Sequence, residues 1–577
     1  MNPLLALIAR GRRRPLRLFY DERFRLPLAT ADKAVETRRA DDVLYYLRRA
    51  RAVAEGQVVS PQVASYEALG RVHTQAYLES LLSPEELGHI FAVDPSDVYV
   101  DELLRSLRLA VGATIDAAVY TLAQKRPAMN LFGGFHHAAP GRGAGFCALN
   151  DIAVAVAELR SRGFTGRVGV LDLDFHPPDG TAECLRDDDA WIGSISGADW
   201  GALPGVDETR LPEGTGDDAY LDALEALLQR MPEVELTFVL AGADVLTGDR
   251  LGRFALSLPG VREREQMVAR KLLGTPQVWL PAGGYSSYAW KVFAGAGLVL
   301  AFDTDEPIPT DYDPLGARFR RISRSLPSES LGDEPFLTEA DLADVLGAPR
   351  HTPLKFLGFY SAQGIEYALE RFRVVPLLRR LGFQNVHVVI DEVPPYGRVR
   401  VLGTDALTGE QATLIELEAE RRRLGEETFL FVNWLSLRNP RAQFSPSRPQ
   451  LPGQEVPGLG LAREMTHILT LVAVRLKLAG VAFRPSWFHM AYTARHDSRF
   501  IDPRRQGRFQ ALLRAARRLP LLEATRAIHE GRVTLNGQPY EWEPDEMVRW
   551  QDAAQIPRDK AEIAAERDRS RFEFKES

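Results

Sequence analysis

Two carboxylates and an imidazole alternate within the segment LDLDFHPPDG, residues 171–180. Successive side chains of a β-strand point to opposite faces, so Asp172, Asp174 and His176 share one face if the strand continues to its end. Oxygen and nitrogen donors of this kind can hold a divalent metal ion. In open α/β sheets, ligands collect outside the carboxyl ends of the strands. The spacing therefore predicts a metal site where this strand ends.

Three further segments carry polar groups directly after an apolar run. GGFHH provides the adjacent pair His136 and His137, GADVLTGD provides Asp244, and AGGY provides Tyr285. Any one of them alone is as compatible with a capped strand end or a turn as with a functional site. The strands of a parallel sheet, however, all end at the same edge. Four such segments in this order therefore favour one convergent catalytic site over four unrelated turns.

The elements that must position these groups are short apolar strands separated by helical patterns, which predict an α/β domain over residues 1–303. Strands of this kind suit a parallel sheet flanked by helices on both faces. The predicted helices include Asp151–Arg162 and Ala219–Gln229. The predicted strands are Ala128–Phe132, Arg167–Leu173, Ala190–Ser194, Leu236–Ala241 and Gln277–Pro281.

The second half of the chain has a different pattern. A Pro- and Asp-rich stretch predicts a linker or extended segment over residues 304–350, and residues 351–577 predict a separate α+β domain. The predicted elements of this domain are helices Ser361–Leu381 and Leu461–Ala479 and strands Val386–Asp391, Val399–Gly403, Thr413–Glu420, Phe429–Leu437 and Val481–Arg484.

The order of elements in this second domain loosely resembles that of acetyl-coenzyme A-dependent N-acetyltransferases. In those enzymes the main-chain amides of a glycine loop at a helix start bind pyrophosphate. The matching loop here would be Glu455–Gly460, EVPGLG. Its glycines equally suit an ordinary turn ahead of a helix, so the role of residues 351–577 stays open.

The composition is that of a globular protein: 45% of the 577 residues are hydrophobic, and the net charge of −7 gives no indication of nucleic-acid binding. Cys147 and Cys184 are the only cysteines, which excludes a disulfide framework and predicts a reducing, cytoplasmic location. The apolar run Leu4–Ile8 is too short for a secretory signal, and no run of about twenty apolar residues predicts a membrane span. The composition leaves the oligomeric state open.

The segments GGFHHAAPGRGAGFCALND, VLDLDFHPPDGT, AGADVLTGDRLG and PAGGY resemble the signature blocks of the histone deacetylase family. The resemblance implies an arginase/deacetylase-like α/β fold, one catalytic Zn²⁺ and hydrolysis of acyl-lysine amides. The substrate would be an acyl-lysine protein or peptide, or a small acylated amine. Sensitivity to hydroxamates is implied as well, because they occupy both the water and the carbonyl positions of the metal.

Carried over residue by residue, the resemblance implies that the zinc ligands are Asp174, His176 and Asp244. Three protein ligands leave one position open for water and the substrate carbonyl. Family members also bind a monovalent cation, K⁺ or Na⁺, near the zinc strand. Its matching positions here would be Asp172, Asp174, His176 and Ser194.

The same resemblance implies the proton carriers. His136 and His137 would be the general base and acid pair, because an amine leaving group needs a proton. Asp172 would hold His136, and Asp179 would hold His137, which fixes the tautomer of each imidazole. Tyr285 would donate its hydroxyl to the developing oxyanion.

The implied substrate channel would be lined by Gly145, Phe146 and Leu251. An acidic residue of the loop 85–101 would grip the substrate backbone, and Asp97 is preferred over Asp94 and Asp101.

The chain departs from the family pattern beside the ligand histidine. Pro177 and Pro178 stand where many members have His and Gly, and Ser196 stands where a His is common. The prolines change the local rigidity and remove two N–H donors. None of the three positions is a ligand or a proton carrier in the implied site, so the metal ligands themselves are unaffected.

The residues also bear on three alternative functions. The two-metal ureohydrolases of similar fold need a carboxylate two residues after the strand histidine, and Pro178 excludes that carboxylate. An acetylpolyamine deacetylase would favour an acidic wall residue where this chain has the apolar Leu251. A catalytically silent acyl-lysine binding module would have lost Tyr285 or a metal ligand, and this chain retains them all.

Overall fold

A computed structural model describes residues 14–26, 28, 37–198, 200–332, 354–393, 396–446, 448–552, 555–556 and 559–575. The chain divides into two compact units, Met1–Pro314 and Leu315–Ser577. The apolar run Leu4–Ile8 and residues 333–350 of the predicted linker lie outside the described residues. The predicted domain bounds at 303 and 350 stay predictions, and the two units are described one after the other.

The first unit contains a sheet of eight strands, and all of its strand pairs are parallel. The strands are β1 (Arg17–Phe19), β2 (Val58–Val59), β3 (Ala128–Asn130), β4 (Val168–Asp172), β5 (Ala190–Gly197), β6 (Val206–Leu211), β7 (Leu236–Leu240) and β8 (Gln277–Leu280). Their order across the sheet is β2-β1-β3-β8-β7-β4-β5-β6. The last strand in sequence therefore lies in the middle of the sheet, between β3 and β7.

Helices flank this sheet, so the predicted α/β fold with a parallel sheet is confirmed. Every residue of β4 and β7 is buried, which agrees with the mainly apolar sequence of these strands. The α-helices are Arg39–Arg49, Tyr66–Gly70, Gln75–Ser80, Pro84–Phe91, Val100–Gln124, Asp151–Ser161, Asp179–Cys184, Asp217–Arg230, Leu258–Lys271 and Ala289–Phe302. Short 3₁₀ turns lie at Glu22–Phe24, Glu55–Gln57 and Pro95–Asp97.

The five strands predicted for this unit are present, and three more were not anticipated. β1 and β2 are only three and two residues long, too short to give a periodic signal. β6 reads VDETRL and is half-buried at the edge of the sheet, so its charged residues conceal it.

The segment predicted as an extended linker contains helical structure. A helix spans Pro314–Ser325 and a short one spans Glu329–Gly332. Leu315 and Phe319, spaced one helical turn apart among arginines, are buried. This amphipathic spacing favours a helix, and the proline and aspartate residues just before it concealed the pattern.

The second unit is built on a seven-stranded sheet, which confirms a second α+β domain. Its strands are β9 (Phe383–Val393), β10 (Tyr396–Asp405), β11 (Gln411–Leu424), β12 (Glu427–Leu437), β13 (Gly480–Phe483), β14 (Arg499–Phe500) and β17 (Met547–Trp550). They are arranged in the order β14-β17-β13-β12-β11-β10-β9, in which β12 and β13 are parallel and the other pairs antiparallel. A smaller sheet pairs β15 (Val533–Leu535) with β16 (Gln538–Pro539) and β18 (Phe572–Phe574).

Helices of the second unit differ from the prediction at two points: one predicted helix is interrupted, and the helix predicted over Leu461–Ala479 ends at Arg475. The single helix predicted over Ser361–Leu381 is two helices, Ala362–Arg371 and Val374–Arg380, separated at Arg373 with φ 65°. Phe372, Val374 and Val375 are all buried, and one continuous helix cannot turn three such neighbours to one side. The other α-helices are Ala462–Arg475, Phe488–Ala494, Pro503–Ala515, Leu521–His529 and Lys560–Arg569.

The loop Glu455–Gly460 lies at the end of the connection between β12 and the helix Ala462–Arg475, and the acetyltransferase-like role suggested for it stays a prediction. None of the helices in the described parts of the chain has the length and apolar character of a membrane-spanning segment.

Candidate active site

The carboxyl ends of four neighbouring strands, β3, β8, β7 and β4, form one edge of the first unit's sheet. The register aligns Asp172 of β4 with Leu240 of β7, and Leu240 with Leu280 of β8, so these strands end level with one another. The segments that follow these strand ends contain residues predicted to act together: His136, His137, His176, Asp244 and Tyr285.

Asp174, His176 and Asp244 form a compact cluster of possible metal ligands. Each offers a ligand atom, and these atoms all lie within 4.8 Å of one another. His176 Nδ1 is 3.2 Å from Asp174 Oδ1 and 3.0 Å from Asp244 Oδ2. Both carboxylates are fully buried. Two carboxylates and one imidazole are a donor set that suits a divalent cation such as Zn²⁺.

The electrostatics of this cluster favour a bound cation. Burial and the negative charge of Asp174 raise the pKa of Asp244 to about 7. Burial lowers the pKa of His176, but hydrogen bonds to Asp174 and Asp244 outweigh it and raise this pKa to about 10. The cluster thus concentrates negative charge in a buried place, and a divalent cation would offset the repulsion between its carboxylates.

The adjacent histidines are held by two different carboxylates. His136 Nδ1 lies 2.9 Å from Asp172 Oδ2, and His137 Nδ1 lies 2.6 Å from Asp179 Oδ1. A carboxylate can only accept hydrogen bonds, so each Nδ1 carries a proton. Each Nε2 faces away from the carboxylate. The two ring centroids are 4.2 Å apart. These are the pairings predicted from the sequence resemblance.

The surroundings separate the pKa values of the two histidines. Burial lowers the pKa of His136, but the charges of Asp172 and Asp174 outweigh it and raise this pKa to about 9. Burial, and the charge of His136, lower the pKa of His137. At neutral pH His136 is therefore protonated and His137 is neutral, an arrangement that assigns different proton-transfer roles to the pair.

The loop after β8 brings Tyr285 to the same place. The Gly283 N–H donates to Asp174 Oδ2 over 2.7 Å, so this loop and the metal cluster are directly linked. Burial, with the charges of Asp174 and Asp244, raises the pKa of Tyr285 well above its ordinary value. The hydroxyl therefore stays protonated and available as a hydrogen-bond donor.

A cavity beside these groups is lined by His136, Gly145, Phe146 and Tyr285, by Thr37 and the charged Arg39, and by apolar and aromatic side chains. The Phe146 and Tyr285 rings lie 5.5 Å apart. A Cβ added at Gly145, where φ is +53°, would lie 2.5 Å from the His137 ring, so only glycine fits. Within the described residues the lining includes neither Leu251 nor Asp97.

Other residues predicted for the site are not part of this lining within the described residues. Leu251 is 40% exposed, and Asp97 is buried at the end of the turn Pro95–Asp97. Ser194 is aligned with Asp172 on β5, and its buried hydroxyl has no hydrogen-bond partner among the described residues. Ser196 Oγ donates to Glu208 Oε1 over 2.8 Å.

Pro177 and Pro178 lead directly into the helix that begins at Asp179. The Asp179 N–H donates to the Pro177 carbonyl over 2.9 Å. The two prolines therefore lie between His176, a possible metal ligand, and the carboxylate that holds His137.

Several residues that shape the site gave no signal in the sequence. Arg39 Nη1 donates to the Gly283 carbonyl over 2.9 Å, and its Nη2 donates to the Ala282 carbonyl. The buried Asp151 accepts the N–H groups of Gly134 and Phe135 in the loop that leads to the histidine pair. Arg39 lies in an arginine-rich stretch and Asp151 at a helix start, so neither stands out from its neighbours.

The part of the chain that carries this site is similar in sequence to known proteins. The family model described as "Histone deacetylase domain" matches residues 33–196. An uncharacterized protein of Picosynechococcus is 36% identical over 245 residues, which cover 40% of this chain and 79% of that protein.

Relatives that carry a name match a similar share of the chain. Histone deacetylase 2 of Arabidopsis thaliana is 35% identical over 260 residues, and human histone deacetylase 1 is 27% identical over 296 residues. These matches cover 42% and 46% of this chain, and 66% and 60% of the relatives, so the chain spans less than two thirds of either. The crystal structure of the HDA15 HD domain, 21% identical, covers 50% of this chain and 88% of that chain with a TM-score of 0.41.

Proposed function

Because this chain belongs to the histone deacetylase family, we propose that its first unit hydrolyses acyl-lysine amides with a single Zn²⁺ held by Asp174, His176 and Asp244. The observation that carries the proposal is the convergence of these three ligand atoms, within 4.8 Å, beside two carboxylate-bound histidines. A bound Zn²⁺ would supply Lewis-acid chemistry, lowering the pKa of a water and polarising the acyl carbonyl.

His137 is assigned the proton transfers. Its lowered pKa keeps the imidazole neutral, so it can accept the proton of the attacking water. The same imidazolium can then protonate the leaving lysine amine, which departs poorly as an anion. Asp179, 2.6 Å from its Nδ1, keeps the tautomer in which Nε2 accepts the proton.

His136 and Tyr285 are assigned to charge stabilisation. His136 is protonated beside Asp172 and carries a positive charge. Its Nε2 lies 3.9 Å from Asp174 Oδ1. Tyr285, whose raised pKa keeps its hydroxyl protonated, would donate to the oxyanion formed from the acyl oxygen. The apolar lining around Phe146 suits the methylene stem of an acylated lysine.

We also assign a monovalent cation, K⁺ or Na⁺, to a site formed by Asp172, Asp174, His176 and Ser194. The buried Ser194 hydroxyl supports this assignment, because a buried hydroxyl without a partner is costly unless a ligand satisfies it.

The test is metal removal and restoration on a panel of lysine peptides that carry different acyl groups, with acetylpolyamines alongside. We expect chelation to abolish hydrolysis, Zn²⁺ to restore it and hydroxamates to inhibit it. The variant Asp244→Asn should lose zinc and activity, whereas Asp218→Asn, at an exposed helix position, should keep both. Full activity in a preparation that metal analysis finds free of metal would overturn the proposal. Faster turnover of acetylpolyamines than of every peptide would indicate that the substrates are small acylated amines.

A further inference from the structure

One carboxylate, that of Asp249, connects the two loops that flank the proposed catalytic centre. Its Oδ2 accepts the N–H of Tyr285 over 2.8 Å. Its Oδ1 accepts the N–H groups of Leu251 over 3.0 Å and of Gly252 over 3.2 Å. Asp249 thus fixes the main chain both at the tyrosine assigned to the oxyanion and at the loop that carries Leu251.

The loop before Tyr285 is fixed up to Gly283 by other contacts. Asp174 accepts the Gly283 N–H, and Arg39 donates to the carbonyls of Ala282 and Gly283. The Gly283 carbonyl also accepts the Ala243 N–H over 3.0 Å.

Gly284 follows these contacts with φ +137°, a conformation that glycine adopts far more readily than other residues. A Cβ at this position would lie 2.7 Å from the Ala243 Cβ. Beyond Gly284, the bond from the Tyr285 N–H to Asp249 fixes the direction in which the main chain leaves the glycine.

We propose that Asp249 is a positioning residue, which holds the Tyr285 hydroxyl in register with the metal cluster. The inference rests on the proposed function. It means that catalysis by Tyr285 depends on Asp249 in the loop 249–252. A carboxylate is required because it accepts on both oxygens. An asparagine would turn an NH₂ group towards one set of N–H donors and lose the bonds on that side.

The main test is a double-mutant cycle between Asp249→Asn and Tyr285→Phe in the full chain, with the exposed Asp218→Asn as the matched control. We expect Asp249→Asn alone to lower kcat on the order of 10- to 100-fold, because displacement of a catalytic group by about 1 Å costs up to about 10²-fold. Zinc content should stay at the wild-type level. In the Tyr285→Phe background the same substitution should cost less than about 3-fold, because its effect passes through the missing hydroxyl.

A second readout does not depend on activity. Hydrogen exchange on the metal-free chain should be faster at the amides of Tyr285, Leu251 and Gly252 in Asp249→Asn. The Ala243 amide, which is bonded to the Gly283 carbonyl, should keep its wild-type rate.

The outcomes separate the two proposals. Equal kcat losses in both backgrounds, wild-type kcat in Asp249→Asn, or unchanged exchange at Tyr285 would each overturn the positioning role. Loss of zinc from Asp249→Asn would show a wider structural role and also overturn it. A wild-type chain without zinc-dependent hydrolysis would instead contradict the proposed function, and the exchange measurement would still decide whether Asp249 fixes the loop.

Discussion

Acidification is expected to weaken the first unit through the buried imidazole of His73, which is 2% exposed. Its Nδ1 lies 3.0 Å from the Ala139 carbonyl, and its Nε2 accepts the N–H of Asn150 over 3.0 Å. Both bonds coexist only in the neutral imidazole, because the protonated ring has no acceptor. They connect the two ends of the loop 139–150, which carries Phe146 of the site cavity.

The size of the effect follows from the pKa of His73, which burial lowers from 6.5 to about 4. As the pH falls through 6.5 the unfolded chain binds a proton at this position, whereas the folded chain does so only near pH 4. The unfolded state therefore binds more protons in this window, and the free energy of unfolding falls as the pH falls. The loss is about 2 kcal/mol between pH 7 and pH 5 and reaches about 3 kcal/mol near pH 4.

The assay is hydrogen exchange of the amides in 139–150, compared between the wild type and His73→Gln at pH 7 and pH 5. Protection factors remove the intrinsic pH dependence of exchange. Protection in the wild type should fall about 20-fold more than in the variant, which has no group to titrate at this position. The exposed His89→Gln serves as control and should follow the wild type. Parallel pH dependence in the wild type and His73→Gln would refute the reasoning.

Tyr285→Phe is expected to lower kcat by ~10²–10³ with zinc content unchanged, because one preorganised donor is lost; wild-type turnover in steady-state kinetics would contradict the role. His137→Ala should lower kcat at least as much, since it removes the assigned proton carrier. A kcat within tenfold of the wild type would argue against that assignment. A chain ending at Pro314 should keep zinc and hydrolyse a short acyl-lysine peptide, because all the assigned groups lie in the first unit; an insoluble or zinc-free product would count against it. Phe238→Ala, fully buried in β7, should lower the free energy of unfolding by about 3–5 kcal/mol in urea titrations of that shortened chain, and a loss below about 1 kcal/mol would be inconsistent with its packing.

The sequence predicts the parts of the site whose residues follow apolar strands. β3, β4, β7 and β8 are buried and mainly apolar, and the clusters of polar residues after them stand out by contrast. The groups that hold the loops were not predictable in the same way. Arg39, Asp151 and Asp249 bind main-chain atoms of distant segments, and a main-chain partner leaves no trace in the side-chain pattern.

The position of element boundaries depended on packing that a linear pattern does not contain. At Arg373 the helix is broken and the apolar residues on both sides of the break are buried, which one helix with a single buried face does not allow. Edge strand β6 is held by pairing with β5 and not by an apolar sequence, so its hydrogen bonds, and not its composition, define it.

The central place of β8 has a consequence for how the first unit is made. Until residues 277–280 leave the ribosome, the sheet exists at most as two halves, β2-β1-β3 and β7-β4-β5-β6, with open edges at β3 and β7. Open strand edges invite pairing with other chains, and a parallel sheet closed by its last strand assembles slowly. All three proposed metal ligands belong to the second half, whereas His136, His137 and Tyr285 arrive with β3 and β8. On the proposed function, the half-sheet that carries the metal ligands would form before the histidine pair and Tyr285 join it, and insertion of β8 would complete the site.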